Sequence, residues 1–265
     1  MATHLVAWQQ SVDQAALAAI NTVVDDVLTR SGATRYFVPA GYNFVRWALA
    51  TGPSLTRARI FTPSLGTKRI DLEVEPKRTA ANTLTLTGLE VMLPRRPYEL
   101  VPGEEVEFQT AEGGAMATQM NGVVALSPAE LPPMPDGDIR AIRAAGTTTL
   151  TAFAWTTVTV TPDTSLEAGT YQLVGMLPIS AGAIAARAII TGEVFRPGAP
   201  GLAGTDAAAS DFDRATMDDT IWYAMGEFTH QTIPQIQFFS ATADTSETVY
   251  LYAVRTGAAP TGAPG

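Results

Sequence analysis

The stretch "DFDRATMDD" holds the densest group of chemistry-bearing side chains in the chain: Asp211, Asp213, Asp218 and Asp219. Two acids at i and i+2 with two more nearby supply the hard oxygen ligands that Ca2+ takes. Arg214 lies within the same stretch and offers the other outcome, a partly neutralised, solvated loop. His4 and His230 are the only imidazoles, so a Ser-His-Asp triad would have to use one of them. No G-x-S-x-G elbow accompanies either, and His230 in "FTHQTIP" reads as a surface residue beside a turn. "SLGTK" lacks the earlier glycine of a phosphate loop, and the strand-like "RIDLEVE" follows where a helix is needed. With no Cys, thiol catalysis, disulfides and thiolate metal sites are excluded together. The expectation is a protein that is not an enzyme, with no catalytic residue and no cofactor beyond a cation at the Asp cluster.

Composition points the same way. Of 265 residues, 46% are apolar and 16% charged, against about 25% charged in typical globular chains. Such a chain can bury a large core and either cover its surface with neighbours or rely on uncharged polar side chains such as Thr. A net charge of −9 argues against a surface devoted to nucleic acid, which needs a basic stripe. Lys68 and Lys77 are the only lysines against 15 Arg. Arg suits ion pairs between subunits, and codon composition in an Ala- and Gly-rich chain would give the same bias. The N-terminus shows no signal-peptide pattern, and no run of about 18 apolar residues predicts a membrane-spanning helix.

These residues must be positioned by the elements of the rest of the chain. "SVDQAALAAINTVVDDVLTRSG" predicts a helix from Ser11, with Gln14 at capping-box spacing, to Gly32. Ala16, Ile20, Val23, Val24, Val27 and Leu28 form its apolar stripe, with Asp25 and Asp26 on the opposite, solvated face. Almost everything afterwards reads as strands rich in Val, Ile, Thr, Phe and Tyr between Gly, Pro and Asp. "TTTLTAFAWTTVTV" (147–160) alternates as one long strand, and a phase slip in "NTLTLTGLEVML" predicts a bulge at Gly88. "MNGVV" carries the Asn-Gly signal of a hairpin. "SPAELPPMPDGD" (127–138) reads as a linker, Phe195–Asp213 as a long irregular loop, and "TGAAPTGAPG" as a disordered tail.

The chain also repeats itself. "AGYNFVRWALATG" (40–52) is echoed by "AGTYQLVGMLPIS" (168–180), and "TRARIFTP" (56–63) by "AARAIITG" (185–192). Tyr42 and Tyr171 stand 129 positions apart, Arg59 and Arg187 stand 128 apart. The predicted fold is mainly β: two tandem eight-stranded jelly rolls, antiparallel β-sandwiches, preceded by an N-terminal α-helix. Its expected parts are an arm and helix over 1–32, a first roll over 33–130, a linker region over 131–145, a second roll over 146–256 and a tail over 257–265.

On the paired segments and the midpoint Pro-rich linker, the chain resembles the double jelly-roll major capsid proteins of tailless, often membrane-containing viruses and bacteriophages. The resemblance implies a virion protein that forms homotrimeric, pseudo-hexameric capsomers tiling an icosahedral shell. It also implies contacts with other virion proteins, an N-terminal helix facing the interior or an internal membrane, and no sequence-specific nucleic acid. Two other classes stay open. A carbohydrate- or cell-surface-binding β-sandwich would display exposed aromatics, whereas Trp8, Trp47, Trp155 and Trp222 read as core or interface. A β-fold hydrolase would need two close carboxylates in a cleft, one with a raised pKa.

Overall fold

The computed structural model describes residues 3–10, 16, 22–52, 55–69, 72–74, 76–77, 97–112, 120–204 and 223–258. The first half contributes β1 (His4–Gln10), β2 (Thr22–Val24), β3 (Arg35–Phe37), β4 (Phe44–Thr51), β5 (Leu55–Phe61), β6 (Leu72–Val74), β7 (Pro76–Lys77), β8 (Tyr98–Glu99), β9 (Glu105–Glu112) and β10 (Met120–Ser127). A six-residue helix, α1 (Pro63–Lys68), follows β5, capped by the Thr62 side chain on the Leu65 amide. The second half contributes β11 (Ile139–Gly146), β12 (Trp155–Val158), β13 (Thr161–Pro162), β14 (Gly169–Ser180), β15 (Ala183–Ile189), β16 (Gly198–Pro200), β17 (Leu202–Ala203), β18 (Gly226–Thr229), β19 (Gln235–Ser240) and β20 (Glu247–Ala258). The fold is mainly β.

These strands form four sheets. Sheet A runs β2-β1-β10-β4-β7 with β8 also on β4, and sheet B runs β3-β9-β5-β6. Sheet C runs β13-β11-β20-β14-β17 with β18 also on β14, and sheet D runs β12-β19-β15-β16. Shifted by ten strands, the second half repeats the plan of the first: β1, β4, β5, β6, β7, β8, β9 and β10 have counterparts β11 and β14 to β20. Only the two short strands exchange order, β2 taking the sheet position of β13 and β3 that of β12. Even the parallel pairs recur, β4 with β7 and β14 with β17, within an otherwise antiparallel set.

Three apolar clusters stack the sheets in the order B, A, D, C. Val6, Trp8, Ala48 and Val124 of sheet A meet Ala58, Ile60 and Phe108 of sheet B. Leu173, Met176 and Leu251 of sheet C meet Ala186, Ile236 and Phe238 of sheet D. Between them Leu5, Trp47, Leu49 and Val123 of sheet A meet Ala185 and Phe239 of sheet D. Successive side chains of a strand point to opposite faces, so sheet A is covered twice. That is why "HLVAW" and "ALA" in β1 and β4 lack polar alternation.

Several expectations are corrected. Residues 4–10, assigned to an N-terminal arm, are a central strand of sheet A, paired with β10 from His4↔Leu126 to Gln10↔Met120. The helix over 11–32 is replaced from Thr22 by β2, which pairs with β1 through Trp8↔Val23, and the chain onward to Gly32 is non-helical. β-Branched Val23 and Val24 suit that pleated setting. Residues 11–15 and 17–21 lie outside the described residues. Asp25 is buried rather than solvated. The long strand over 147–160 is broken: the chain turns at Thr151–Ala154, with Phe153 at φ 59° donating its amide to Ser240 O, and only Trp155–Val158 is a strand. Asn121–Gly122 makes no hairpin but runs straight through β10, paired with Gln9 and Trp8, and the Phe108 ring occupies the space a Cβ at Gly122 would need. β11 begins within the region taken as linker, and β16 and β17 order the first part of the Phe195–Asp213 loop. Of the tail over 257–265, Gly257 and Ala258 are the end of β20, paired with Thr170 and Gly169, while Gly88 and residues 259–265 lie outside the described residues.

Candidate functional site at the junction of the two halves

β5 and β15 hold the repeat's most specific feature. Arg59 faces Gln109 across β5 and β9, and Arg187 faces Gln237 across β15 and β19. In both pairs the arginine Nε donates to the glutamine Oε1 at 2.8 Å. The two arginines and the two glutamines are each 128 positions apart. Their surroundings differ: Arg59 is half-buried on the outer face of sheet B, while Arg187 is wholly buried where sheet D meets sheet A.

There Arg187 gathers groups from the first half of the chain. Nη1 donates to Leu5 O at 2.8 Å and to Asp25 Oδ1 at 2.6 Å, and Nη2 donates to Asp26 Oδ1 at 2.5 Å. Its guanidinium lies 4.2 Å from the centre of the Trp155 ring, whose Nε1 donates to Val24 O at 2.8 Å. Arg196 Nη1 reaches both Asp26 oxygens, at 2.6 and 2.7 Å, and Gln237 Oε1 at 2.6 Å. His4 completes the group: Nε2 stands 3.3 Å from Asp25 Oδ2, and Nδ1 accepts the Arg196 amide at 3.1 Å. An acceptor at Nδ1 fixes the neutral tautomer that donates from Nε2.

The electrostatics follow from this crowding. Burial drives the His4 imidazole below its usual value, against the pull of Asp25 upward. Burial works to raise Asp25, but the hydrogen bond from His4 and the charge and hydrogen bond of Arg187 hold its carboxyl far below the carboxylate range. Asp26 is lowered as well: the Arg196 hydrogen bond and the charges of Arg187 and Arg196 outweigh its burial. At neutral pH the group is therefore two arginines, two carboxylates and a neutral imidazole, each engaged. A site so arranged binds and registers two parts of a molecule. Each group in it is engaged: His4 Nε2 with Asp25, His4 Nδ1 with the Arg196 amide, and Asp25 also with Arg187.

The residues singled out in the sequence fall differently. His4 is buried in this junction, whereas His230 stands half-buried at a turn, accepting the Gly169 amide at Nδ1 at 3.2 Å. Asp211, Asp213, Asp218 and Asp219 lie outside the described residues. Among the described residues no group of three or more His, Cys, Asp or Glu could hold a metal ion. Trp8 and Trp47 are buried, Trp155 is half-buried against Arg187, and Trp222 lies outside the described residues. Burial raises Glu247, aided by Asp244, yet Asp244 is occupied by the Ala181 and Thr245 amides. Among the described residues no helix is long and apolar enough to cross a membrane. The sequence reading missed Asp25, Asp26, Arg196 and Gln237. The one available signal was Arg187, an arginine set in the apolar run "AIAARAII".

No family model matches the chain, and no curated protein matches its sequence. Among solved structures, the major capsid protein P2 from Bacteriophage PM2 aligns over 96% of this chain and 100% of that chain, at 11% identity and a TM-score of 0.23. A likeness this loose carries no argument about fold or role.

Proposed function

We propose that the chain is a structural subunit of a viral protein shell, built as two tandem jelly rolls and located in the virion. The supporting observation is the repeated strand plan. In each half a sheet ordered β1-β10-β4-β8, or β11-β20-β14-β18, faces one ordered β3-β9-β5-β6, or β12-β19-β15-β16. First and last strands lie side by side, the wrapped order of an eight-stranded jelly roll. A chain of two like halves lets three copies set six like units around one axis, and such rings tile a closed surface. The group around Arg187 supports a structural role, because its charges are committed to holding one half on the other.

Light scattering on the purified chain, at low and near-physiological salt, tests the proposal. A mass three times the 28.0 kDa of the chain, or a particle of megadalton size, is the expected result. A monomer under both conditions refutes it.

A further inference from the structure

The repeat breaks at one connection. Between β5 and β6 the chain forms α1, and its Leu65 is buried in the core of its own half. The counterpart connection, between β15 and β16, holds no helix and crosses to the other half as a strap. Ile190 is buried in the second-half core and Pro197 O accepts the Ala188 amide at 2.7 Å, so both ends are anchored. Between them Arg196 O accepts the Leu5 amide at 3.2 Å, extending the edge of β1 beyond Ala7, Trp8 and Gln9, where β2 pairs. Phe195 stacks on Tyr42 with ring centres 3.7 Å apart and meets His4 edge-on at 5.5 Å. The Arg196 amide donates to His4 Nδ1 at 3.1 Å.

The last of these bonds exists only while Nδ1 keeps its lone pair. A proton there turns an acceptor into a donor and sets two N–H groups against each other. It also adds a cation to a place that already holds Arg187 and Arg196. Asp25 and Asp26 face that charge, but Asp25 already accepts from Arg187 and from the Val27 and Leu28 amides, and Asp26 from both arginines. Arg30 donates to the Asp25 carbonyl, Tyr36 stands near the Asp25 charge, and Glu193 stands near Tyr42. Burial keeps the imidazole neutral at neutral pH, so the strap is fastened there. His4 is fixed in β1 by its pairing with Leu126, whereas Thr191 to Val194 are exposed and Gly192, at φ 88°, has nothing within 4 Å of a Cβ position. The strap is the side that yields.

We propose that the strap from Thr191 to Arg196 is a latch that protonation of His4 releases, an acid-sensitive device built into the junction. The Arg196 amide comes off Nδ1, the Leu5 bond opens, and Phe195 leaves Tyr42 to join Val194, already 71% exposed, in solvent. Sheets A and D stay stacked, because the seam of Trp47, Leu49, Phe239 and Ala185 does not pass through the strap. Arg187, on β15, likewise keeps its bonds to Leu5 O and Asp25. In mild acid the chain thus shows the Phe195 and Tyr42 rings, which cover one another at neutral pH.

The chain has no cysteine, so Val194→Cys puts a single nitroxide spin label on the exposed crest of the strap. Label mobility is followed from about pH 8 to about pH 5, with near-ultraviolet circular dichroism recording tertiary packing in parallel. The expected result is a several-fold rise in the mobile fraction as pH falls, with the dichroism unchanged. Adding His4→Gln, whose amide accepts from Arg196 and donates to Asp25 but takes no proton, should abolish the rise. A label that stays immobile across the range overturns the proposal. An equal rise in the His4→Gln background overturns it as well, because the carboxylates would then be responsible. A rise that coincides with lost dichroism overturns it too, since the whole fold rather than the strap would be opening. If His4→Gln does not fold, Phe195→Ala replaces it: its label should already be mobile at about pH 8, and an immobile one refutes the latch.

Discussion

Arg187 Nη1 stands 2.6 Å from Asp25 Oδ1, and both side chains are fully removed from solvent. They come from opposite halves, 162 positions apart. Desolvating two ions costs about what their attraction returns, so the pair is worth little against a well-packed apolar replacement. The apolar seam of Trp47, Leu49, Phe239 and Ala185 supplies the attraction, and the ions fix how the halves register.

Removing one partner is another matter, because the survivor stays buried and charged. Asp25→Ala should destabilise the protein by about 3–5 kcal/mol in urea unfolding. Adding Arg187→Met should recover part of that loss, with a coupling of about 0.5–3 kcal/mol in the double-mutant cycle. Additive losses would mean that the two charges do not act as a pair.

Acid should loosen the junction in two stages. His4 is lowered in the folded protein from 6.5, so in the window just below that value the unfolded chain binds the extra proton. Stability is then flat at higher pH and falls as pH drops from about 6.5 toward the folded value of His4. Asp25 and Asp26, lowered from 3.8, add a second fall below about pH 4. His4→Gln keeps a donor for Asp25 and cannot titrate, so its unfolding profile should lose the first stage and keep the second.

Gly198 sits beside Arg187 in the register of β16 on β15. A Cβ there would stand 2.1 Å from Ala186 O and 2.8 Å from Arg187 Cα, both backbone atoms that cannot swing aside. Gly198→Ala should cost about 1–3 kcal/mol through overpacking. Gly204→Ala, where a Cβ meets nothing within 4 Å, should stay within about 0.5 kcal/mol of the parent in the same melts.

Glu247 is buried and raised above its usual 4.5, by burial first and by Asp244 second. Its carboxylate accepts the Thr148 amide, a bond that a glutamine oxygen can also accept. The charged form is the costly one, so stability is lost as pH rises through the folded value. Glu247→Gln should therefore melt at a higher temperature than the parent at pH 8, with the difference gone at pH 4. An equal shift at both values would place the effect in packing instead.

What was legible in the sequence was what the chain repeats. The 128-position spacing of Arg59 and Arg187 held because each sits opposite a glutamine on a neighbouring strand, a constraint that two copies of one plan share. The strand-rich composition was legible for the same local reason. The segment around Val23 was not: its apolar positions fit helical spacing, and what decides for a strand is Trp8 across the sheet and Arg187 across the junction. Asp25 reads as solvated until its partner is known, and Asn121–Gly122 reads as a turn until Gln9 and Trp8 are in place across the sheet. In each case the deciding contact is remote in sequence, where pattern carries no information.

Sheet A's second covering has a consequence for synthesis. The face formed by Leu5, Trp47, Leu49 and Val123 is closed by residues between Phe153 and Ala241, which leave the ribosome only after the first half is complete. Until then the nascent chain holds a finished sandwich with one apolar side bare. β1 also pairs with β10 more than a hundred residues later, a long loop to close before any return. An emerging chain is thus greasiest midway through translation, and that interval is when it most needs shelter from its neighbours on the same message.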